Sequence, residues 1–503
     1  MSDTAKLFPI TCLPGIKRDG SAFSGNNYTD GQWCRFMRGV PRKIGGFTRI
    51  TVAGAMNRTT YIVPVVPNFN IYLGFAAGLL QVPIDQTGNP LGGNADRTPN
   101  GFLVYPDNLW QFDLMYQTVS NTNSLIAHAA PNLTYIENTV ESPVYYGDIT
   151  ASTPLIPTGF SVSGGIVVLN PYLVMFGNYG QIIVSNANNP TTILLTARVT
   201  SQKIVKGMPV RGGNSSPAGL LWTLNSLIRM TFTGTLNQPT FAFDTITSQS
   251  SILSSSGVVE ADSIFYWAGI DRFLLYNGVV REIPNNMNLL WFYQNLNYSQ
   301  RQKVWATKVP EFGEIWWWFP FGNSTECNQA VIFNYREGTW YDTRMSATDI
   351  TRARISGYYE QVFADPIWCD ELSQIWIHEL GVDQVINNVA TSIPSSFTTS
   401  DVAFAAIGPS GSWTGVNRLI DLERIEPDFW QQVGGIDVNI ITNKYSNSPP
   451  VTSQTYNMLP NTEKVDMREQ GRFMRLKFTC DGVGCFYELG QLLLAIKIGD
   501  YRP

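Results

Sequence analysis

Seven short apolar hairpins recur along this 503-residue chain at a nearly constant interval. Each joins two runs of β-branched and aromatic residues through Gly, Asn or Asp, which tolerate the backbone angles of tight turns. They lie in 61–82 (YIVPVVPNFNIYLGFAAGLLQV), 165–185, 219–234, 263–283, 314–342 and 372–381, with a weaker one at 124–136. With Tyr72, Leu125, Tyr172, Trp222, Phe265, Trp316 and Ile375 as landmarks, the intervals are 53, 47, 50, 43, 51 and 59 residues. A beat of about 40–50 residues, each unit holding about four short strands, predicts a β-propeller, in which blades packed face to face bury both faces of every sheet. A set of separate β-sandwiches would share the local strand spacing but not the beat. Helical spacing of apolar residues is confined to 287–304, which predicts one or two helical turns.

After Gly381 the Trp-rich hairpins stop and long polar stretches begin. Alternating runs return at 436–442 and 472–480, and the apolar run 492–498 follows. The expected architecture is all-β: a propeller over 20–383 and a C-terminal β-sandwich or jelly roll over 384–503. Residues 1–50 read as a basic arm, with the segment 33–38 a candidate to close the last blade.

Charge sharpens that division. Charged residues are only 15% of the chain and the net charge is −5. Residues 1–50 carry eight Lys and Arg against three Asp, a net of +5, so the rest carries −10. A basic segment on an acidic body predicts docking onto an acidic neighbour, in the same chain or another. Arg35, Arg38, Arg42 and Lys43 are the candidate docking residues. A strand edge protected by Lys and Arg is the plainer reading.

Motifs for catalysis are missing. The sequence has no GxSxG elbow, no GxxxxGK[ST] loop and no HExxH pair. His378-Glu379 begins such a pair, but position 382 is Val. His128 and His378 are the only histidines, and both read as hydrogen-bonded strand residues. The passage NYREGTW (334–340) keeps Gly338-Thr339-Trp340 of the sialidase turn SxDxGxTW but has Asn334 and Arg336 where Ser and Asp belong. Glu311 and Glu314 read as surface charges beside a hairpin. The six cysteines, Cys12, Cys34, Cys327, Cys369, Cys480 and Cys485, contain no CxxC pair and read as small buried residues or free thiols. The expectation is a protein that is not an enzyme, with no cofactor and no metal. No run of apolar residues approaches the length of a membrane span, and residues 1–15 lack the pattern of a secretory signal.

One resemblance runs through most of the chain. The passage NNYTDGQWCRFMRGVPRKIGGF (26–47) is similar to the opening of the tail-nozzle proteins of short-tailed bacteriophages, also called tail-hub or packaged-DNA stabilisation proteins. The similarity continues through 163–191. It is strongest in 205–234 (VKGMPVRGGNSSPAGLLWTLNSLIRMTFTG) and 250–288, and includes EIWWWFPF, NYREGTWYD, IWIHELGVD, RIEPDF and GRFMRLKF. Residues falling on these motifs are Gly45, Gly46, Trp267, Tyr276, Asn277, Gly278, Trp317, Trp340, His378 and Glu379, to which the resemblance gives structural roles.

The resemblance implies a propeller of about six blades, one fewer than the hairpins. It also implies a homo-oligomeric ring, a hexamer, at the distal end of the portal–adaptor stack. That ring ends the DNA channel, retains the packaged genome and supports its ejection. Implied partners are a tail adaptor or portal-proximal protein, tail fibre or spike proteins, and genomic DNA passing without tight binding. The expected location is the virion tail, after assembly in the host cytoplasm. A receptor- or glycan-binding tail protein with a propeller fold is the alternative. No residue is assigned to the DNA channel.

Overall fold

The computed structural model describes residues 5–21, 26–52, 57–105, 108–131, 140–210, 217–235, 238–344, 353–359, 363, 365–403 and 418–501. Each hairpin landmark sits in a sheet of its own, four-stranded and antiparallel for the first six and extended by Gln384–Ile386 and Val389–Thr391 to six strands for Ile375. Six of these blades are continuous in sequence: 57–96, 108–162, 165–198, 204–247, 258–282 and 305–344. The seventh joins Arg354–Tyr358, Ile367–Asp370 and Gln374–His378 to a strand from the other end of the chain, Phe47–Val52. The described residues therefore form a β-propeller of seven blades, one more than the six that the resemblance implies as an approximate count. One hairpin of the beat makes one blade.

The interfaces explain why the beat is so regular. Each neighbouring pair of blades shares an apolar cluster, as with Val63, Tyr72, Leu79, Trp110 and Leu125 between the first two. Further clusters join blades 2 and 3, 3 and 4, 4 and 5, and 5 and 6, and Ile62, Ile71, Ile367 and Ile375 join the seventh blade to the first. Tryptophans add a directed contact, since a buried indole N–H needs an acceptor. Trp110 Nε1 donates to Phe75 O at 3.0 Å, Trp267 Nε1 to Ser251 O at 3.0 Å, and Trp317 Nε1 to Gly257 O at 3.1 Å. Each bond ties a blade to the chain that precedes it.

Closure falls to Phe47–Val52, which pairs antiparallel with Gln374–His378, His378 opposite Phe47 and Ile377 opposite Thr48. The segment 33–38 lies elsewhere: Cys34–Met37 pairs with Val40–Lys43 in a second, non-propeller body. That body is a β-sandwich. One sheet runs Val465–Gly471, Arg418–Val433, Phe486–Tyr501, Val40–Lys43, Cys34–Met37, with Lys6–Ile10 also on Phe486–Tyr501. The other runs Asp30–Gln32, Ser395–Thr398, Phe473–Cys480, Ile436–Asn443, Val451–Thr452, with Tyr456–Met458 also on Ile436–Asn443. Alternation sends Ile420, Leu422 and Ile425 inward to meet Ile436, Val438, Ile440, Leu476 and Phe478. The N-terminal residues thus build sandwich strands, and the reading of 1–50 as an arm is corrected.

The 287–304 segment forms an α-helix at Leu289–Asn295 and a 3₁₀ helix at Tyr298–Lys303, between blades 5 and 6. Cys480 and Cys485, expected as buried residues or free thiols, instead form a disulfide with an S–S distance of 2.05 Å. A short connection returns the chain from one sandwich sheet to the other there, so the two residues meet. Cys12, Cys34, Cys327 and Cys369 are free thiols. Among the described residues no helix is long and apolar enough to cross a membrane.

Ring closure makes the chain around Gly45-Gly46 unusually tight. A Cβ on Gly46 would lie 2.3 Å from Asp383 O and 2.5 Å from Asp383 N, both fixed backbone atoms. Gly46→Ala is expected to cost about 3 kcal/mol, the upper part of the range for overpacking, as a lower urea midpoint at unchanged m-value.

Candidate functional site

Of the residues singled out from sequence, Arg35, Gly45, Gly46, His378 and Glu379 meet at the seam between sandwich and propeller. Cys34–Met37 is a short sandwich strand at the seam with blade 6, buried at Cys34, Arg35 and Phe36, with Phe36 5.6 Å from Tyr341. Arg35 points into the seam and is only 1% exposed. Its Nε and Nη2 donate to Glu314 Oε1 and Oε2 at 2.8 and 3.1 Å. Its Nη1 and Nη2 donate to Glu379 Oε2 and Oε1 at 2.9 and 2.6 Å. One guanidinium thus holds two carboxylates, from blade 6 and from the end of the last blade, while its Cζ lies 3.6 Å over the Phe312 ring. Tyr341 Oη and Trp316 Nε1 also donate to Glu314, and Gly45 N donates to Glu379 at 3.1 Å. A Cβ on Gly45 would lie 2.5 Å from Glu379 Oε2, so this approach requires glycine.

Glu314 is fully buried, which corrects its reading as a surface charge; Glu311 is exposed. Burial raises the Glu314 carboxyl above its ordinary value, and Arg35 opposes the rise. The same burial pushes Tyr341 well above 10, which keeps its hydroxyl a donor. His378 is buried, accepts Arg354 Nε–H on Nε2 at 2.8 Å and packs 3.9 Å from the Trp368 ring centroid. Burial, with Arg354 beside it, lowers its pKa well below 6.5, so it is neutral.

Of the other candidate docking residues, Lys43 is buried, Arg42 half-buried and Arg38 exposed. Lys43 is 1% exposed and donates to Cys485 O at 2.8 Å. Arg42 lies 3.5 Å from Glu488 and 5.2 Å over Phe486. Arg38 is exposed: its backbone N–H donates to Glu337 Oε1 at 2.7 Å and its guanidinium lies 5.1 Å from the exposed Trp430. Arg18, which sequence reading passed over, makes a bidentate contact with buried Asp342 at 2.9 and 3.0 Å. For Arg18, Arg35 and Arg42 the acidic neighbours belong to the same chain.

The remaining motif residues lie in blades 5 and 6. Trp267 and Tyr276 pack between blades 4 and 5, Trp317 and Trp340 between blades 5 and 6, and Trp340 Nε1 donates to Pro284 O at 2.8 Å. Asn277-Gly278 makes an outward turn with Gly278 at φ 105°. Asn334 Oδ1 accepts the N–H groups of Arg336 and Glu337, both at 3.0 Å, so NYREGTW is a side-chain-stabilised blade turn. His128 is buried against Val162 O at 3.1 Å. Among the described residues no group of three or more His, Cys, Asp or Glu is placed to hold a metal ion.

A second locus lies on the propeller axis. The first strands of the seven blades, with the short lead-in to the fifth, enclose a cavity of about 390 Å³. Asp113, Lys206, Glu260 and Lys308 reach it, and Tyr61, Phe112 and Tyr358 form part of its wall. A shallower groove on the sandwich is lined by alternating charges, among them Asp421, Arg424, Lys464 and Glu469.

No family model matches the chain, and no curated protein matches it. Among solved structures it is similar to Raptor of Chaetomium thermophilum, at 8% identity and a TM-score of 0.43, over 68% of this chain and 29% of Raptor. The chain thus spans less than a third of Raptor's length. It is also similar to an exo-β-1,3-galactanase of Phanerochaete chrysosporium, at 9% identity and a TM-score of 0.30, over 90% of this chain and all of the other. These are likenesses of fold alone. The second one corrects an expectation: a matched structure is a glycoside hydrolase, so the reading of this chain as not an enzyme does not stand. No activity passes to this chain from that likeness.

Two measurements test the seam. Arg35→Met strands two buried carboxylates and is expected to cost about 3–5 kcal/mol in urea unfolding; Arg35→Lys should recover only part, because an ammonium cannot form the fork that grips both. Burial lowers Lys43 to about 8 against an ordinary 10.5. Between those values the folded chain has released a proton that the unfolded chain retains, so stability rises with pH across about 8 to 10.5. Lys43→Met should remove up to about 3 kcal/mol of that rise, read from unfolding free energies at about pH 7.5 and about pH 10.5.

Proposed function

We propose that this chain is a structural subunit of the virion tail of a short-tailed bacteriophage, a nozzle protein whose copies form a ring that ends the DNA channel. On this reading the ring retains the packaged genome until ejection. It sits beneath a tail adaptor and carries or contacts fibres or spikes. It joins the virion after assembly in the host cytoplasm.

The observation that supports this most is where the resembling passage lies. Residues 26–47 supply sandwich strands, the Arg35 clamp and the Gly45-Gly46 approach, and lead directly into the strand that closes the propeller. The motif is thus the joint between the two bodies, as suits a part that must hold its shape against packaged DNA. The axial cavity supports a further point. Its 390 Å³ is the volume of roughly a dozen waters at ~30 Å³ each, whereas the major groove of a B-form duplex is alone ~12 Å wide. DNA on this reading runs between copies around the ring and not along the axis of one propeller.

Electron microscopy of the purified protein or the virion tests the proposal. The expected image is a six-fold ring with a central channel at the tail tip. A monomer, or a trimer decorating the tail periphery, would overturn it. The aromatic wall of the axial cavity favours a second reading, a receptor- or glycan-binding tail protein. Specific retention on a glycan array by a protein that forms no ring would decide for it.

A further inference from the structure

The axial cavity contains a cation, Lys206, that has no bonded partner among the described residues. Of its four charged side chains, three are engaged within the protein. Asp113 accepts the Leu114 N–H on Oδ1 at 2.8 Å and the Val168 N–H on Oδ2 at 2.7 Å, tying blade 2 to blade 3. Glu260 Oε1 accepts the Ser263 N–H at 3.2 Å. Lys308 Nζ donates to Glu260 O at 2.9 Å. The Lys206 ammonium makes no hydrogen bond and no ion pair with any described residue.

The Lys206 side chain is half-buried and lines the cavity, so a solute entering the cavity can reach its ammonium. Burial lowers the Lys206 pKa, and the nearby charge of Asp113 only opposes that shift. The cavity around it is large enough for a small solute, at the lower end of the ~300–1,000 Å³ typical of ligand sites. Its wall offers flat surfaces, with the Tyr61 and Phe112 rings stacked at 5.9 Å and Tyr358 edge-on to Tyr61 at 5.1 Å.

We propose that the axial cavity binds a small anionic solute, its phosphate or carboxylate seated on the Lys206 ammonium and its body against the aromatic wall. This site lies within a single propeller and does not depend on the ring. Its failure and the failure of the nozzle reading are therefore separate results.

The test uses the full chain, with inorganic phosphate and glucuronate as probes at ionic strength matched with sodium chloride. Calorimetric titration should show saturable binding of at least one probe, and which one binds identifies the anionic group. Lys206→Met should weaken it about tenfold or more, while Lys464→Met, at an exposed sandwich residue, should leave it unchanged. The bound probe should also slow reductive methylation of Lys206 in the wild-type chain, read by peptide mass spectrometry, without slowing that of Lys464. This readout serves if the Lys206 variant does not fold. No saturable binding of either probe, equal binding by Lys206→Met, or equal methylation of Lys206 with and without probe would each overturn the proposal.

Discussion

One guanidinium organises the junction on which the architecture turns. Arg35 comes from a sandwich strand, Glu314 from the sixth blade and Glu379 from the end of the seventh. Three buried charges from distant parts of the chain are tolerable only together, because each carboxylate alone would be an uncompensated charge in an apolar seam. Around them Tyr341, Trp316 and Gly45 supply the further hydrogen bonds that such a cluster needs. The contact also specifies geometry. Bidentate pairing fixes the orientation as well as the distance of the groups it joins.

The apolar packing follows the same junction. Clusters between blades 1 to 6 are separate, each shared by two neighbours. Between blades 6 and 7 the pattern changes: Trp316, Trp318 and Trp368 belong to one continuous core with Trp33, Phe397, Leu422 and Phe478 of the sandwich side. Trp33 reaches across, its indole N–H donating to Gly45 O at 3.0 Å and its ring edge-on to Trp316. The chain passes this seam near both ends: it begins in the sandwich, closes the ring with Phe47–Val52 and returns to the sandwich after the last blade. Loss of the seam therefore affects ring closure and sandwich together.

Much of the propeller was legible because its signal is local and repeated. Trp222 or Trp316 in an apolar run before a turn reads the same wherever it stands, and seven such runs count seven blades. The resemblance to nozzle proteins pulled the expected number toward six, and the hairpins were the better guide. Glu314 shows the limit. It opens EIWWWF, a strand buried throughout, and a carboxylate leading such a run was a signal that a cation had to be waiting. Which cation could not be read, since Arg35 lies 279 residues away. The Cys480–Cys485 pairing was missed for a related reason: spacing alone does not show whether two strand ends face each other.

Composition and periodicity determined that this chain is all-β, built from a repeated four-strand unit and followed by a domain of different texture. They also determined that its first 50 residues carry a positive charge opposed to the rest. These properties belong to neighbouring residues, whose alternation and turn chemistry act over a few positions. Only the tertiary structure decided where that positive charge goes, which strand closes the ring, and which carboxylates are buried. Each of those depends on side chains hundreds of residues apart meeting in one low-dielectric seam, and their mutual energy exists only once the chain has folded.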